Sequence, residues 1–317
     1  MKLKYTLPLL LITSLSSCST NNYIESNLFY FDTAVTARLY DGKEQNLKDI
    51  KAIFEYYDKI SDNYRVRNGE NVLNLTSTPT VVTAEFYSLL SDAVHANLVG
   101  ATYFNPLAGS LAKAWKVALA DGRALTDEEI QTELDKINSS SITLGPNYSV
   151  TKTGEAEIDL GGIVKGFTLD RVSDYLNQRN IKNFLINAGN SSILVGEKPG
   201  DDPYFTIKIN DLDNSYLKLK DTTISTSSIS IQGKRLTEDG PIYSHIVNPI
   251  TGSAINLHDA VIVVSLSGTV GDYLSTSMMM NTIEEIKQIE EDEYVETIVI
   301  KDKNVIYCNP NLEILHG

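Results

Sequence analysis

The sequence predicts an α+β fold, a single large domain in which helices flank mixed β-sheets. Helical periodicity dominates the first half of the chain, as in residues 45–64 and 83–98. After residue 180 the pattern changes to short strand-like runs rich in β-branched residues, interrupted by one more predicted helix near residues 271–289. No linker of biased composition separates these regions, so we expect one domain.

The size and charge of the chain restrict the classes of function. Its 317 residues, 42% of them hydrophobic, are enough to bury a sizeable core. The formal net charge of −14 leaves no basic surface to meet a phosphate backbone. The sequence therefore predicts no nucleic-acid partner.

The N-terminus has the pattern of an export signal. Lys2 and Lys4 precede a short apolar stretch that is too short to span a bilayer as a mature helix. Small residues then lead to Cys18, and Leu-Ser-Ser-Cys resembles the bacterial lipobox. We expect residues 1–17 to be a signal peptide and a lipidated Cys18 to anchor the protein on the extracytoplasmic face of the cell membrane. The alternative is a soluble secreted protein in which Cys18 is incidental.

The elements that follow are predicted in chain order. Residues 18–27 form a lipidated tether and residues 28–317 form the domain, with "NLFYFDTAVTARLY" as its first strand. Thr126 is placed to cap a helix that carries acidic residues in its first turn. The later strands are predicted at "NFLINAG", "SILVGE", "YFTIKI", "AVIVVSL" and "ETIVIKDKNVIYC". Because Cys308 is the only other cysteine, a lipidated Cys18 leaves no intrachain disulfide.

Residues 157–170, "EIDLGGIVKGFTLD", combine acids, glycines and a lysine. We predict a strand ending at Leu160, a tight turn at Gly161 and Gly162, and a helix whose free N–H groups favour an anion. Lys165 opposes the helix dipole, so its position is explained if it meets a phosphate. The pattern matches neither common nucleotide-binding motif. The alternative is a simple turn followed by a solvated lysine.

A second stretch, "GDYLSTSMMMNTIEEI", places Asp272 and Thr276 four residues apart on one helix face. A carboxylate and a hydroxyl in this arrangement offer two hard oxygen ligands to Mg²⁺. The alternative is that Asp272 only favours the helix N-terminus while Thr276 packs inside.

A third stretch, "IYSHIVNPITG", predicts a strand that delivers His245 just before a turn. A histidine near a phosphate and a metal can act as a general base. A purely structural hydrogen-bonding role is the alternative. No HExxH or paired-cysteine spacing supports a zinc site.

These three stretches occur together with "YFDTAVTARLY", "YDKISDNYRVRNGENVLNL", "YFNPLAGSLAKAW" and "FLINAGNSSILVGE". In this order, over nearly all of the mature chain, they resemble the ApbE family of flavin transferases. The glycine block and the Asp-x-x-x-Thr pair are the most specific parts. The resemblance implies an ApbE-like domain that uses Mg²⁺ to move FMN from FAD onto a threonine hydroxyl of an extracytoplasmic target protein.

The resemblance also implies roles for individual residues. It implies that the metal is bound by Asp272, Thr276 and the carbonyl of Gly162. Mg²⁺ would neutralise charge on the pyrophosphate and make AMP a better leaving group, while His245 or a nearby acid takes the threonine proton. The implied flavin contacts are Phe31, Tyr64, Asn105, Asp159, Lys165, Ile246 and Ser275.

The chain departs from the family pattern at four places. Phe31-Asp32-Thr33 replaces the usual Met-Gly-Thr, and Asn105-Pro106 replaces Asp-Pro. Residues 227–232, "SSISIQ", replace Ser-Gly-x-Tyr-x-Arg, so an aromatic and an arginine are missing where the target protein or the flavin would be recognised. Gly-Asp-Tyr replaces Ala-Asp-Ala around Asp272, which leaves the ligands in place.

Two other functions remain compatible with these residues. A FAD pyrophosphatase that gives FMN and AMP would use the same site residues with water as the acceptor. A non-catalytic flavin-binding lipoprotein would need neither the Asp272 and Thr276 pair nor a histidine base.

Overall fold

The structure is a computed structural model, and it describes residues 23–65, 68–230 and 233–317. The predicted signal peptide and Cys18 lie outside these residues. Within the described ranges, no helix is long and apolar enough to cross a membrane.

The α-helices of the described chain are distributed among the strands along the sequence. They are α1 (Glu44–Ser61), α2 (Ala84–His95), α3 (Gly109–Ala120), α4 (Asp127–Ser139), α5 (Val164–Asn177), α6 (Gly268–Met278) and α7 (Ile283–Glu293). The strands are β1 (Ile24–Tyr30), β2 (Thr33–Leu39), β3 (Thr80–Val81), β4 (Ser141–Leu144), β5 (Ser149–Thr153), β6 (Phe184–Ala188), β7 (Ser192–Val195), β8 (Phe205–Lys208), β9 (Ser215–Leu219), β10 (Thr222–Ser228), β11 (Lys234–Arg235), β12 (Ile242–Tyr243), β13 (Ala260–Ser265), β14 (Glu296–Lys301), β15 (Asn304–Cys308) and β16 (Ile314–His316).

An eight-stranded sheet in the order β1-β2-β6-β7-β10-β13-β14-β15 forms the centre of the fold. Each pair of neighbours in it is antiparallel. Smaller sheets in the orders β3-β5-β4, β16-β9-β8 and β11-β12 surround it. The combination of helices with largely separate antiparallel sheets confirms the predicted α+β class.

The middle of this sheet is covered on both faces, which explains the continuous apolar sequence of β13. Val261 and Val263 pack in the core that contains α2, α3 and α6. The alternate residues Ala260, Ile262 and Val264 pack against β8 and β9 in a separate core. Because successive side chains of a strand point to opposite faces, a strand between two layers needs apolar residues at every position.

Helices α5 and α6 touch backbone to backbone at Gly166 and Gly268. A Cβ atom on Gly166 would lie 1.9 Å from the Gly268 carbonyl oxygen, and one on Gly268 would lie 2.6 Å from the Gly166 carbonyl oxygen. Asp170 in α5 caps α6, because its carboxylate accepts hydrogen bonds from the Gly268 N–H and from the Ser267 hydroxyl. The two glycines and this cap fix the relative position of the helices.

We expect Gly166→Ala to lower the free energy of unfolding by about 2 kcal/mol or more, because overlap with the Gly268 carbonyl outweighs the better helix propensity of alanine. Urea unfolding followed by circular dichroism measures this loss. Gly122→Ala is the control, since Gly122 has a φ of +77° and no neighbouring atom within 4 Å of an added Cβ. There we expect only the backbone cost of about 1 kcal/mol. Equal losses in both variants would contradict the close helix contact.

The N-terminal region differs from the sequence prediction in two ways. The single predicted first strand is a hairpin, with Phe31 and Asp32 as its two-residue turn, both at φ 54°. Such turns usually carry Asn-Gly or Asp-Gly, so Phe-Asp gives no sequence signal for one. Strand β1 begins at Ile24, so residues 24–27 pair in the sheet instead of belonging to the predicted tether.

Three other local predictions were wrong in detail. Glu157–Leu160 belongs to no strand: the Asp159 N–H donates to the Pro106 oxygen at 2.8 Å, and the Leu160 oxygen accepts from the N–H groups of Ile163 and Val164 at the start of α5. The strand before His245 ends at Tyr243. The helix predicted near 271–289 is two helices, because Thr282 caps a new one. The predicted cap at Thr126 is confirmed by its capping box with Glu129.

Candidate active site

The glycine block leads directly into α5, as predicted. The Asp159 carboxylate accepts a hydrogen bond from the Gly161 N–H at 2.7 Å, which tightens the turn before the helix. Lys165 lies in the first turn of α5, and its ammonium group is 3.5 Å from the Gly161 carbonyl oxygen. A cationic side chain and the N-terminal end of a helix therefore lie side by side, an arrangement that favours an anion.

Asp272 lies on α6 against the start of α5, and only 5% of its surface is exposed. One carboxylate oxygen accepts hydrogen bonds from the hydroxyls of Ser192 at 2.8 Å and Ser225 at 2.7 Å. The other oxygen accepts the Gly166 N–H at 2.6 Å. Burial raises the pKa of this carboxyl group, while Lys165 and the three hydrogen bonds act in the opposite direction.

Thr276 and Gly162 lie beside Asp272. The Thr276 hydroxyl donates to the backbone oxygen of Asp272 at 3.0 Å, one helical turn away. A Cβ atom on Gly162 would lie 3.0 Å from that same hydroxyl oxygen, so the glycine backbone comes close to it. The structure thus brings together the three residues predicted to bind a metal.

This group of three residues fits Mg²⁺ better than a softer metal. Across the described residues, no group of three or more His, Cys, Asp or Glu side chains is arranged to hold a metal ion. One carboxylate, one hydroxyl and the nearby backbone form an all-oxygen donor set, which suits a cation that keeps water or phosphate in its shell. A cation would also offset the cost of burying the Asp272 charge.

Ser275 and Ile246 both form hydrogen bonds within the protein. The Ser275 hydroxyl donates to the backbone oxygen of Asp272 at 3.0 Å and lies 3.0 Å from the Ser227 hydroxyl. Ile246 is buried, and its N–H donates to the Ser244 hydroxyl. Ser275 therefore belongs to the Asp272 group, whereas Ile246 supports the segment that carries His245.

A cavity of about 430 Å³ is lined by residues from α2, from α4 and from the loops before α3 and after β12. Its lining includes Phe104, Asn105, Pro249 and Ile250. Phe104 also borders the proposed metal ligands, because its ring lies 3.1 Å from the position of a Cβ atom on Gly162. Phe104 is therefore shared by the cavity and the surroundings of Gly162, and Asn105 and the turn that follows His245 form part of the same cavity wall.

Phe31 and Tyr64 lie outside α5 and α6, Phe31 in the turn between β1 and β2 and Tyr64 shortly after α1. Phe31 forms the hairpin turn, where its N–H donates to the Asp58 carboxylate and its ring packs against Phe54. Tyr64 is 57% exposed, and the ammonium groups of Lys113 and Lys116 lie 4.6 and 4.8 Å from its ring centroid. No direct contact recorded for the described residues joins either aromatic ring to Asp272.

His245 is exposed in the segment between β12 and the turn at Asn248, whose side-chain oxygen accepts the N–H of Ile250. Partial desolvation by the surrounding protein lowers the pKa of its imidazole, and the charges of Lys165 and Lys116 lower it further, against the opposing effect of Asp159. A neutral ring near pH 7 can accept a proton.

Sequence reasoning missed the serines that support the acidic ligand. Ser225 and Ser227 are two residues apart on β10 and both point towards α6, where Ser227 lies 3.3 Å from the Thr276 hydroxyl. Ser192 comes from a different strand, β7. The signal that could have identified the first two is the run of hydroxyl residues in the strand "TTISTSS", in which every residue except Ile224 is Ser or Thr.

Curated proteins that resemble this chain are named FAD:protein FMN transferase. The one from Klebsiella pneumoniae is 26% identical over 242 residues, which cover 73% of this chain and 74% of that protein. The one from Chlamydia pneumoniae is 23% identical over 303 residues, which cover 92% of this chain and 95% of that protein.

Solved structures share the fold. Flavin transferase ApbE from Vibrio cholerae superposes with a TM-score of 0.72 at 21% identity, covering 93% of this chain and 97% of that one. The ApbE protein from Thermotoga maritima gives a TM-score of 0.75 at 20% identity, covering 91% and 97%. The sequence model of the ApbE family matches residues 31–299. Since this match extends over most of the sequence, the chain belongs to the ApbE family.

Proposed function

We propose that this protein transfers FMN from FAD to a threonine hydroxyl of an extracytoplasmic target protein and releases AMP, with Mg²⁺ as cofactor. The observation that carries the proposal is the buried Asp272 beside Thr276 and Gly162 at the start of α5. The names of the relatives from Klebsiella pneumoniae and Chlamydia pneumoniae support the flavin-transfer part.

The metal would be held by Asp272, Thr276 and the carbonyl of Gly162. When bound there, Mg²⁺ would supply positive charge to the diphosphate and so make AMP a better leaving group. Lys165 and the N-terminal turn of α5 contribute a second source of positive potential for the same diphosphate.

His245 is proposed to accept the proton of the acceptor. The threonine oxygen forms a bond to the phosphorus of the FMN half while the bond from that phosphorus to the bridging oxygen breaks, and AMP leaves with that oxygen. The proton released from the hydroxyl moves to the imidazole, which is neutral near pH 7 because its pKa is lowered. The cavity wall with Asn105 is proposed to hold part of the FAD.

The direct test is to incubate the protein without its signal peptide with FAD, Mg²⁺ and surface proteins of the same organism. We expect in-gel flavin fluorescence on a protein band that disappears with EDTA. Release of FMN and AMP without a fluorescent band would support a FAD pyrophosphatase instead. FAD binding without either product would support a non-catalytic flavin carrier.

We also propose that Cys18 anchors the protein to the membrane through lipid. A diacylglyceryl group supplies two chains at about 0.8 kcal/mol per buried CH₂, enough for stable attachment. Cys18→Ser should therefore move the protein from the membrane fraction to the soluble extracytoplasmic fraction, as shown by immunoblotting. Ser17→Ala, which keeps the cysteine and a small residue before it, is the control. Retention of Cys18→Ser in the membrane would indicate an uncleaved signal.

A further inference from the structure

One end of the eight-stranded sheet carries the beginning of β1. Strand β1 begins there at Ile24 and pairs with the end of β2. The register continues at the same end through β6, β7 and β10 to Ser265 of β13 and Glu296 of β14. We call this end of the sheet the anchor end, because residues 19–23 alone would join it to a lipid on Cys18. So short a tether would keep this end close to the bilayer.

The two most exposed large hydrophobic side chains of the described residues flank one strand pair at the anchor end. Leu266 is 88% exposed and Tyr294 is 91% exposed. Leu266 lies two residues after Val264, and Tyr294 lies two residues before Glu296, the residue with which Val264 pairs. A single exposed apolar residue is ordinary, but two beside adjacent strands form an apolar patch that folding leaves uncovered.

The backbone holds both side chains in defined positions. The Ser265 oxygen accepts the Thr223 hydroxyl at 2.7 Å, and the Ser267 N–H donates to the Ser265 hydroxyl at 3.1 Å, so the chain is fixed on both sides of Leu266. Tyr294 ends α7 in the left-handed conformation, at φ 53°, which glycine or asparagine adopts at lower cost. The tyrosine therefore costs backbone energy and buries almost none of its ring, so fold stability does not explain its presence.

A third tyrosine at the anchor end lies beside two lysines. The ammonium groups of Lys218 and Lys220 are each 5.8 Å from the ring centroid of Tyr204. Lys220 lies two residues before β10 begins, at the anchor end of that strand. Tyrosine and lysine both have an apolar body and a polar tip, which suits them to the boundary between lipid and water.

The proposed metal ligands lie towards the other end of the sheet. Helix α6 follows its cap Ser267, the residue after Leu266, and Thr276 is about 14 Å further along the helix axis. Ser192, which donates to Asp272, begins β7 at the end remote from the anchor end, where it pairs with the last residue of β6. The anchor end and the candidate active site are therefore separated along the sheet.

We propose that Leu266 and Tyr294 rest in the interface of the bilayer that holds the lipid anchor, and so turn the proposed metal ligands towards the aqueous side. The inference rests on the proposed lipid at Cys18, because two side chains alone bind a membrane weakly, whereas a tethered domain meets it at high effective concentration. The contact is apolar and not ionic, because the acids Glu293 and Glu296 flank Tyr294.

The test uses the full lipidated chain, reconstituted into phosphatidylcholine vesicles with or without brominated acyl chains, which quench tryptophan fluorescence. Tryptophan is introduced by Leu266→Trp or Tyr294→Trp, and the single native Trp115 is buried and gives a common background. We expect brominated lipid to quench both variants more than the unmodified protein. Phe29→Trp is the matched control and should not gain quenching, because Phe29 is an exposed aromatic residue at the opposite end of the same sheet.

Each other result overturns the inference in a recognisable way. Absence of added quenching in Leu266→Trp and Tyr294→Trp, while the unmodified protein floats with the vesicles, would leave the anchor intact and remove the bilayer contact. Equal quenching of Phe29→Trp would mean that the domain has no fixed orientation. Quenching that appears only with anionic lipid would make the contact ionic.

Two further results concern the partner and the anchor. Protection of the two new tryptophans from aqueous acrylamide in native membranes, but not in lipid vesicles, would identify a protein as the partner instead of the bilayer. Failure of the unmodified protein to float with the vesicles would remove both the lipid anchor and the inference that rests on it.

Discussion

Asp272→Asn is expected to reduce Mg²⁺-dependent FMN transfer by about a hundredfold or more while the protein still folds. The asparagine oxygen can accept the Gly166 N–H, and its NH₂ group can donate to the hydroxyl oxygens of Ser192 and Ser225, which can reverse their roles. The packing and all three hydrogen bonds therefore persist, but the negative charge that would bind the cation is lost. AMP release at increasing Mg²⁺ concentration measures the effect.

Thermal unfolding of Asp272→Asn separates a metal effect from a folding effect. Asp259→Asn is a matched control, because the Asp259 carboxylate also accepts a backbone N–H, that of Asp302, but lies outside the metal group. We expect both variants to unfold near the temperature of the unmodified protein and only Asp272→Asn to lose activity. Turnover of Asp272→Asn at the unmodified rate would show that the metal assignment is wrong.

His245→Ala is expected to lower transfer by about 10²–10⁴-fold while FAD affinity stays within a small factor. The reason is that His245 is exposed and is proposed to touch the acceptor hydroxyl, while the neighbouring Ile246 is buried. Single-turnover flavinylation and FAD binding, measured on the same preparation, separate the two effects. An equal fall in affinity and rate would make His245 a binding or structural residue and would direct the search for the base to the acids, with Asp159 first.

The pH dependence gives a second measurement of the same role. The pKa of His245 is lowered from 6.5, so the imidazole is protonated only at lower pH and is neutral, able to accept a proton, above it. For the unmodified protein, kcat/KM should therefore rise with pH through a midpoint below 6.5 and be level at pH 7. This acidic limb should be absent from the residual activity of His245→Ala.

The fold class and the group around Asp272 could be predicted because their signals are local. Asp272 and Thr276 are one helical turn apart, so a sequence spacing fixes their proximity once the helix is recognised. The helix after Gly162 follows from its apolar period in the same way. Each of these two inferences required the recognition of only one helix. The structure places these residues as expected.

The parts that were missed depend on contacts between distant segments or on turns without a sequence signal. Ser192 and Ser225 reach Asp272 from two strands, and only the assembled sheet shows that their hydroxyls meet one carboxylate. The turn at Phe31 and Asp32 adopts positive φ values that these residue types do not usually indicate. The contact of Trp115 with Gly252 likewise joins positions far apart in sequence, so it depends on how α3 docks.

The early start of β1 limits how far a lipid-anchored enzyme could reach. If Cys18 carries the lipid, only residues 19–23 lie between the membrane and the edge strand that begins at Ile24. A fully extended chain of this length spans about 20 Å, less than the diameter of the domain itself. The enzyme would then stay close to the bilayer surface. An acceptor threonine, whether in a membrane protein or in a soluble one, would have to come within about the tether length plus one domain diameter of the bilayer.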